Sequence, residues 1–216
     1  MIKLFFDIET LPCSDDQLES VLEILKKKRK RSKDGEEVDD LKLHHSTGLE
    51  GTFGRIFCIG YIKEDGFISK GVITGSEKEI LEQFWQISQD VEVFIGHNIL
   101  EFDFPFIYKR SIINRVKPRK LYMGKYQSEP IFDTQCEWEK WAYGKAQKLD
   151  TLAKVLGLPS SKEDMDGSQV WQAYQDGRFE DISNYCMKDV ELVRQVYYKM
   201  TFEEMLSDTP VKESLF

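Results

Sequence analysis

Two acidic residues near the start of the chain stand where a strand could hold a metal ion. Residues 2–9 alternate apolar and other side chains with a period of two, which predicts a β-strand. Asp7 and Glu9 then share one face at the end of that strand. Because like charges this close repel, something must compensate them. Two interpretations stay open: a solvent-facing edge, or a site for a divalent cation such as Mg²⁺, which prefers oxygen ligands.

A third acid lies in unusually apolar surroundings. Asp103 is flanked by phenylalanines within GHNILEFDFPFI, residues 96–107. A carboxylate among apolar side chains must be paired, protonated or bound to metal. Asn98, at the end of the preceding predicted strand, can bring its amide to the same place. The alternative interpretation makes Asp103 the N-cap of a helix that begins before Pro105.

A tyrosine and a fourth acid share one face of a predicted helix. Tyr185 and Asp189 stand four residues apart in NYCMKDVELV. Asp189 also falls within the apolar stripe of that helix, so it points inward or to the margin of the core. A hydrogen bond between the two side chains, without catalytic meaning, is the alternative.

These four acids could perform phosphodiester chemistry if the helices pack on the sheet. Two divalent cations about 3.5–4 Å apart can clamp a phosphodiester and activate a water for in-line attack. The stretch after Asp103 carries no acid from Phe104 to Ser128, and we expect its basic residues, Lys109 and Arg110 first, to hold a phosphate backbone. Three tyrosines could stack on bases there: Tyr108, Tyr122 and Tyr126.

The elements that must position these residues can be predicted from periodicity. Residues 55–65 and 66–74 are rich in β-branched and aromatic side chains and are separated by Asp65-Gly66, which predicts a hairpin. Residues 91–98 predict a short buried strand. Helices are predicted over the following ranges: 15–31, 76–90, 103–113, 149–157, 168–176 and 180–200. Residues 33–51 are polar and punctuated by glycine, which indicates a loop. His44 and His45 lie in it without other residues at the spacing of metal ligands.

Length and composition indicate a globular protein. The 216 residues are 41% hydrophobic and 31% charged, which predicts one domain over 1–205, with 15–51 as an insertion and 206–216 as a polar tail. No apolar run reaches the roughly 20 residues of a membrane span, and the N-terminus does not resemble a signal peptide. The four cysteines are scattered, which disfavours a disulfide framework or a zinc cluster and favours the cytoplasm.

The charge is unevenly distributed. The net charge of −8 alone argues against a nucleic acid partner. Two stretches, 26–33 and 109–125, nevertheless carry seven basic side chains each. We interpret the first as a solvated helix end, since charge runs usually are, with a substrate arm or a partner contact as alternatives.

Taken together, three segments match a known family. Phe6-Asp7-Ile8-Glu9-Thr10, then Asn98 to Asp103, then Tyr185 to Asp189 resemble the three motifs of the DEDD (DnaQ-like) 3′–5′ exonucleases. The chain is most similar to the proofreading exonuclease domain of family B DNA polymerases, in a stand-alone form. The resemblance implies an α/β, RNase H-like fold with a central mixed β-sheet flanked by helices. Tyr185 stands four residues before Asp189, where the tyrosine branch of the family has its tyrosine. The histidine branch would need a histidine five residues before Asp189, where this chain has Asn184, so the resemblance implies the tyrosine branch.

The resemblance also implies roles for the matching residues. The cofactors would be two divalent cations, Mg²⁺ or Mn²⁺. Asp7, Glu9 and Asp189 would bind the cation that activates water, and Asp7 would bind the second, supported by Asp103. Tyr185 would orient the attacking water.

Three further positions would contact the substrate or support the site, namely Thr10, Asn98 and Phe102, the last of them against the terminal nucleotide. The expected reaction is metal-dependent removal of nucleoside monophosphates from single-stranded or frayed DNA 3′ ends. An RNA 3′–5′ exonuclease resembling ribonuclease D and a catalytically silent nucleic-acid-binding module are the alternatives. A protein partner could supply the substrate, and no membrane partner is expected.

Overall fold

A five-stranded mixed sheet forms the centre of the computed structural model, which describes residues 1–31, 39–142, 144–159 and 165–206. The strand order is β3-β2-β1-β4-β5. β1 pairs antiparallel with β2, and β2 with β3, whereas β4 runs parallel to both β1 and β5. The strands are β1 (Lys3–Leu11), β2 (Arg55–Glu64), β3 (Ile68–Ile73), β4 (Val93–Gly96) and β5 (Ile131–Asp133).

Eight α-helices are described around this sheet. They are α1 (Asp15–Arg31), α2 (Asp40–Thr47), α3 (Glu77–Ile87), α4 (Asp103–Ile113), α5 (Thr134–Glu139), α6 (Leu149–Val155), α7 (Val170–Gln175) and α8 (Phe179–Thr201). A 3₁₀ turn, Gly167–Gln169, precedes α7. The expected α/β, RNase H-like sandwich of sheet and helices is thereby confirmed, and the predicted hairpin is β2–β3.

The alternation of β1 buries both of its faces. Leu4, Phe6 and Ile8 join the main core together with residues of α3 and α4. Phe5 points to the opposite face, where its ring meets Tyr197 of α8 at 5.5 Å between centroids. Asp7 and Glu9 continue on the Phe5 side, so the sheet carries them beneath α8.

The predicted loop over 33–51 is wrong for its second half, which contains α2. Asp39 caps this helix by accepting a hydrogen bond from the Leu41 amide. His44 is buried in this helix, and its Nε2 lies 2.9 Å from the Cys13 carbonyl oxygen. A helix this short buries only a few side chains, so its apolar periodicity is too weak to see in the sequence. Residues 32–38 lie outside the described residues, as does the end of the basic run over 26–33.

Two neighbouring elements, β5 and α5, were not predicted. A strand of three residues has no measurable alternation, and α5 is barely longer than one turn. Their junction is Asp133, whose carboxylate accepts hydrogen bonds from the Gln135 and Cys136 amides as the N-cap of α5.

The first strand and the end of α8 are joined by an ion pair. Lys3 Nζ lies 2.5 Å from Glu203 Oε2, and Arg194 donates to the Leu206 carbonyl at 2.7 Å.

The predicted polar tail over 206–216 lies outside the described residues beyond Leu206. Among the described helices, none combines the length and the apolar character that crossing a bilayer requires. All four cysteines are described and none forms a disulfide.

Candidate active site

The candidate site lies at the carboxyl ends of the parallel strands. β1 pairs with β4 only as far as Phe5 opposite Ile95, and β4 ends with Gly96 opposite Asp133. Beyond Phe5, β1 continues alone on that side, and its pairing with β2 shifts between Glu9 and Thr10. The crevice outside the carboxyl ends of parallel strands is where open α/β sheets bind ligands.

Asp7 and Glu9 lie close together under α8. Their carboxylate oxygens and the Cys186 thiol are all within 4.8 Å of one another. Cys186 Sγ is 3.2 Å from the Gly60 amide nitrogen and 3.5 Å from the Asp7 carbonyl oxygen. Helix α8 comes this near because Gly60, opposite Asp7 on β2, has no side chain. The pair does not lie on a solvent-facing edge, since Glu9 is buried and Asp7 is half-buried.

Asp103, the first residue of α4, contacts β1 through its carboxylate. It is 2% exposed, and its Oδ1 accepts a hydrogen bond from the Ile8 amide at 3.2 Å. The alternative interpretation as an N-cap is wrong, because Asp103 is the first residue inside α4 and Phe102 takes the cap position. The strand amide between Asp7 and Glu9 thus fixes the third carboxylate beside them.

Tyr185 and Asp189 project from α8 onto the same place. The Tyr185 hydroxyl hydrogen-bonds the Asp189 carboxylate. Burial, followed by the charges of Asp189 and Glu9, raises the pKa of Tyr185 far above its ordinary value. Tyr185 therefore stays protonated and can donate a hydrogen bond, but it cannot serve as a base at neutral pH.

The carboxyl groups destabilise one another's charge. Burial and then the charges of Asp103, Glu9 and Asp189 raise the pKa of Asp7 well above its ordinary value. Burial also raises the pKa of Glu9, and it raises that of Asp103 to about 8. The charges of Asp103 and Asp189 contribute to the raised pKa of both Asp7 and Glu9, which is consistent with mutual repulsion of these carboxylates.

This donor set fits a hard divalent cation. A bound cation would offset the repulsion that raises the carboxyl pKa values, and Mg²⁺ and Mn²⁺ favour carboxylate oxygens. A hydrogen bond with Cys58, together with burial, raises the pKa of the Cys186 thiol well above its ordinary value. The thiol is therefore a poor ligand beside the carboxylates, and we assign any ligation to oxygen.

Asp133 is a supporting residue whose contacts extend beyond its capping of α5. Its carboxylate accepts hydrogen bonds from the Asn98 amide at 2.9 Å and the Leu100 amide at 3.0 Å. His97 bridges the same region, with Nδ1 2.9 Å from Thr134 Oγ1 and Nε2 2.7 Å from the Gln147 carbonyl oxygen. Both His97 nitrogens therefore have structural partners. Together these contacts hold the segment that leads to Asp103.

Two clefts flank the acids. One, of about 570 Å³, is lined by Glu9, Thr10 and Phe102 on one side and by Leu49 and Trp171 on the other. The Thr10 hydroxyl donates to the Gly48 carbonyl at 2.6 Å, so this side chain ties β1 to the end of α2. The second cleft, of about 320 Å³, begins at Asn98 and runs beside α5.

The structure separates the two basic residues expected to hold phosphate. Arg110 is buried and makes a bidentate ion pair with Glu77, at 2.8 and 2.7 Å. The expectation that Arg110 contacts substrate is therefore wrong, because its guanidinium stabilises α3 against α4. Lys109 is exposed, with Nζ 3.9 Å from Glu50. Basic residues at neighbouring helix positions face different ways, and charge alone does not reveal which one is buried.

A family model matches 163 consecutive residues of the chain. Residues 52–214 match the family described as a predicted 3′–5′ exonuclease related to the exonuclease domain of PolB. The chain belongs to this family of exonucleases. The match includes Asp103, Tyr185 and Asp189 and begins after Asp7 and Glu9.

Three DNA polymerases show distant similarity to the chain. DNA polymerase 120R of Invertebrate iridescent virus 3 is 21% identical over 175 residues, which cover 63% of this chain and 15% of the polymerase. The putative DNA polymerase 060R of Frog virus 3 is 23% identical, over 50% of this chain and 13% of that protein. A DNA polymerase of Archaeoglobus fulgidus is 23% identical, over 55% and 17%. The chain thus spans less than a fifth of each relative.

The PolB-related exonuclease predicted from the motifs is therefore confirmed at the level of family, fold and enzyme class. A nucleic acid substrate follows from that class. The tyrosine branch, the cations, the nature of the strand and the cytoplasmic location stay predictions.

Proposed function

We propose that this exonuclease removes nucleoside monophosphates from the 3′ end of single-stranded or frayed DNA in a reaction that requires divalent cations. The convergence of four carboxylates and one protonated tyrosine at the carboxyl end of β1 carries this proposal. Asp7 and Glu9 come from β1, Asp103 from α4, and the remaining pair from α8. Such a concentration of negative charge in a partly buried crevice suits a cation-dependent phosphodiester hydrolase.

Two of the carboxylates, Asp7 and Glu9, would hold the cations together with Asp189, with Asp103 in support. When bound, the cations would supply charge compensation for the phosphate and a lower pKa for the attacking water. The protein's own part is to hold the carboxylates in register, since the Ile8 amide anchors Asp103 and the sheet sets the spacing of Asp7 and Glu9.

Tyr185 would position the attacking water. Its hydroxyl already hydrogen-bonds Asp189, and burial keeps it protonated. A protonated hydroxyl fixed at one end offers a directed hydrogen-bonding partner and leaves proton removal to other groups. We therefore assign Tyr185 to orientation of the water rather than to base catalysis, in keeping with the tyrosine branch.

The cleft beside Glu9 would take the 3′-terminal nucleotide. Phe102, half-buried and packed on Phe106 at 5.7 Å between centroids, offers an apolar wall next to the carboxylates. Lys109 is placed outside this cleft as an exposed contact for the phosphate backbone. DNA is favoured over RNA because the three relatives are named as DNA polymerases.

A gel assay tests this function. Single-stranded DNA and RNA of one sequence, labelled at the 5′ end, are incubated with Mg²⁺ or Mn²⁺ and the purified protein. We expect a ladder that shortens from the 3′ end, faster on DNA, and abolished by EDTA. Asp7→Asn should be inactive, whereas Glu82→Gln, a matched change at an exposed acid of α3, should be fully active.

Each other outcome decides a specific point. A faster RNA ladder would replace DNA by RNA as the substrate. Cleavage that resists EDTA, or that survives in Asp7→Asn, would refute the cation-dependent site. Binding without any ladder would favour the silent nucleic-acid-binding module.

A further inference from the structure

A cleft outside the carboxylate cluster combines aromatic and basic side chains. We name it the Tyr126–Trp141 cleft; its wall also contains Asn98, Lys125 and Lys145. Its volume is about 320 Å³. None of the four carboxylates lines it, and the reaction described above uses neither aromatic residue.

The two aromatic rings contact each other at the surface. Their centroids are 5.4 Å apart and their planes are inclined by 49°. Tyr126 is 74% exposed, and Trp141 is half-buried beside it. Aromatic rings open to solvent beside lysines are typical of surfaces that stack nucleobases of single strands.

The backbone of this cleft is held in an unfavourable conformation. Asn98, Tyr126 and Trp141 all have positive φ angles, of 63°, 65° and 61°. Bulky side chains rarely adopt this conformation, and such residues cluster at ligand-binding surfaces. Two hydrogen bonds order the neighbouring backbone: the Trp141 amide donates to the Cys136 carbonyl at 3.0 Å, and the Ser128 hydroxyl donates to the Glu137 carboxylate at 2.9 Å.

The charges of the cleft are balanced. Lys125 and Lys145 are opposed by Glu101 and Glu139 in the same wall. The lysines can contact phosphates at the rim, but net charge does not draw a polyanion into the cleft. Stacking on Tyr126 and Trp141 must therefore provide most of the affinity for a strand.

The Tyr126–Trp141 cleft lies on the other side of one short segment from the cleft that would take the 3′ nucleotide. The segment from Asn98 to Phe102 separates it from the cleft beside Glu9, because Asn98 lines the first and Phe102 the second. A strand whose 3′ nucleotide lies beside Glu9 can therefore cross the carboxylates and continue toward Tyr126.

We propose that the Tyr126–Trp141 cleft is a second strand-binding site, which stacks nucleobases of a single strand upstream of the nucleotide being removed. This inference rests on the proposed function for the direction of the strand. It assigns the unused aromatic pair a role in retaining the strand between successive cuts.

Binding of a labelled single-stranded DNA of about 12 nucleotides tests the inference. The measurement is fluorescence anisotropy in EDTA, which prevents cleavage. We expect Tyr126→Ala to weaken binding about 5- to 150-fold, as loss of one stacked base would. Tyr126→Phe, which keeps the ring, should bind like the wild type.

The matched control is Phe67→Ala. Phe67 is also an exposed aromatic residue, 78% exposed between β2 and β3, and it lines neither cleft. This variant should bind like the wild type, and thermal unfolding of both alanine variants should show that each is folded. Wild-type affinity in Tyr126→Ala, or an equal loss in Phe67→Ala, would overturn the inference.

Cleavage of a dinucleotide separates this inference from the proposed function. A dinucleotide has only one base upstream of the cut, so Tyr126→Ala should raise the KM for the long strand more than the KM for the dinucleotide. An equal loss on both substrates would refute the second site. If the wild type binds the long strand through Tyr126 but cuts nothing, the proposed function fails and the cleft stands.

Discussion

At the scale of single residues, the carboxylates that the proposed reaction needs also destabilise the metal-free fold. Removal of one charge from the cluster relieves repulsion in the metal-free protein, as the raised pKa of Asp7 indicates. We therefore predict that Asp7→Asn abolishes cleavage yet raises the melting temperature in EDTA by roughly 2–8 °C. Differential scanning calorimetry checks this, and a lower melting temperature would contradict the assigned repulsion.

The same cluster predicts a pH dependence of stability. The pKa of Asp103 is about 8 in the fold, against an ordinary value near 4, so the folded state binds more protons between these values. This contribution to the free energy of unfolding is complete below pH 4 and is lost as the pH rises toward 8. In EDTA, the melting temperature should fall as the pH rises from about 4 to about 8. Asp103→Asn should flatten the fall, and an unchanged slope would argue against Asp103 as its source.

Tyr185 can be tested by removal of one oxygen. Tyr185→Phe keeps the ring but loses the hydrogen bond to Asp189, so the attacking water should be less well oriented. We expect kcat to fall about 10- to 100-fold while the number of bound cations stays the same. Steady-state kinetics and calorimetric titration with Mn²⁺ measure the two quantities. Loss of a cation in the titration would mean that Tyr185 holds the site together rather than orienting water.

At the scale of elements, the close approach of α8 to β2 depends on one glycine. A Cβ at Gly60 would lie 3.0 Å from Cys186 Sγ and 3.1 Å from Val190 Cγ2. We predict that Gly60→Ala lowers the free energy of unfolding by about 1–3 kcal/mol and reduces cleavage, because α8 carries Tyr185 and Asp189. Chemical denaturation and the gel assay measure these effects.

Gly71→Ala, on β3, is the matched control. A Cβ there would meet only the Tyr61 ring, at 3.5 Å and beyond. It should change neither stability nor cleavage appreciably. Similar losses in both variants would mean that glycine flexibility in the strands, and not the distance to α8, is what matters.

The elements predictable from sequence are those with long, regular patterns. The boundaries of α4 at Asp103 and Ile113 follow from the sequence alone, and α8 is predicted within a residue at each end. Both helices carry several turns of apolar periodicity. Elements such as α2 and β5 are too short for a pattern and form because tertiary contacts bury them.

The same distinction applies to the site. Asp7, Glu9 and Asp103 can be found in sequence because charge in an apolar context is a local anomaly. The ion pair of Arg110 with Glu77 is not, since the two residues lie far apart in the chain and are brought together only by the packing of α3 on α4. The contacts of Asp133 with the Asn98 segment likewise depend on the pairing of β5 with β4, which joins two segments that are distant in the chain.

At the scale of the whole molecule, an acidic protein must bind a polyanion. The net charge is −8. In the proposed reaction the strand would pass over the carboxylate cluster, which adds local repulsion. We predict that Mn²⁺ increases affinity for single-stranded DNA about tenfold or more over EDTA, because cations remove the local repulsion. Anisotropy with a strand whose terminal linkages are phosphorothioates, to slow hydrolysis, measures this. Equal affinity in both conditions would mean that contacts remote from the carboxylates dominate binding.

The ion pair between Lys3 and Glu203 joins the first strand to the segment that follows the last described helix. The candidate site combines Asp7 and Glu9 of that strand with Tyr185 and Asp189 of that helix, and with Asp103 of α4 between them in the chain. We therefore expect that a nascent or truncated chain without α8 cannot assemble the complete set and shows no cleavage in the gel assay. Cleavage by such a truncated chain would contradict the assignment of Tyr185 and Asp189.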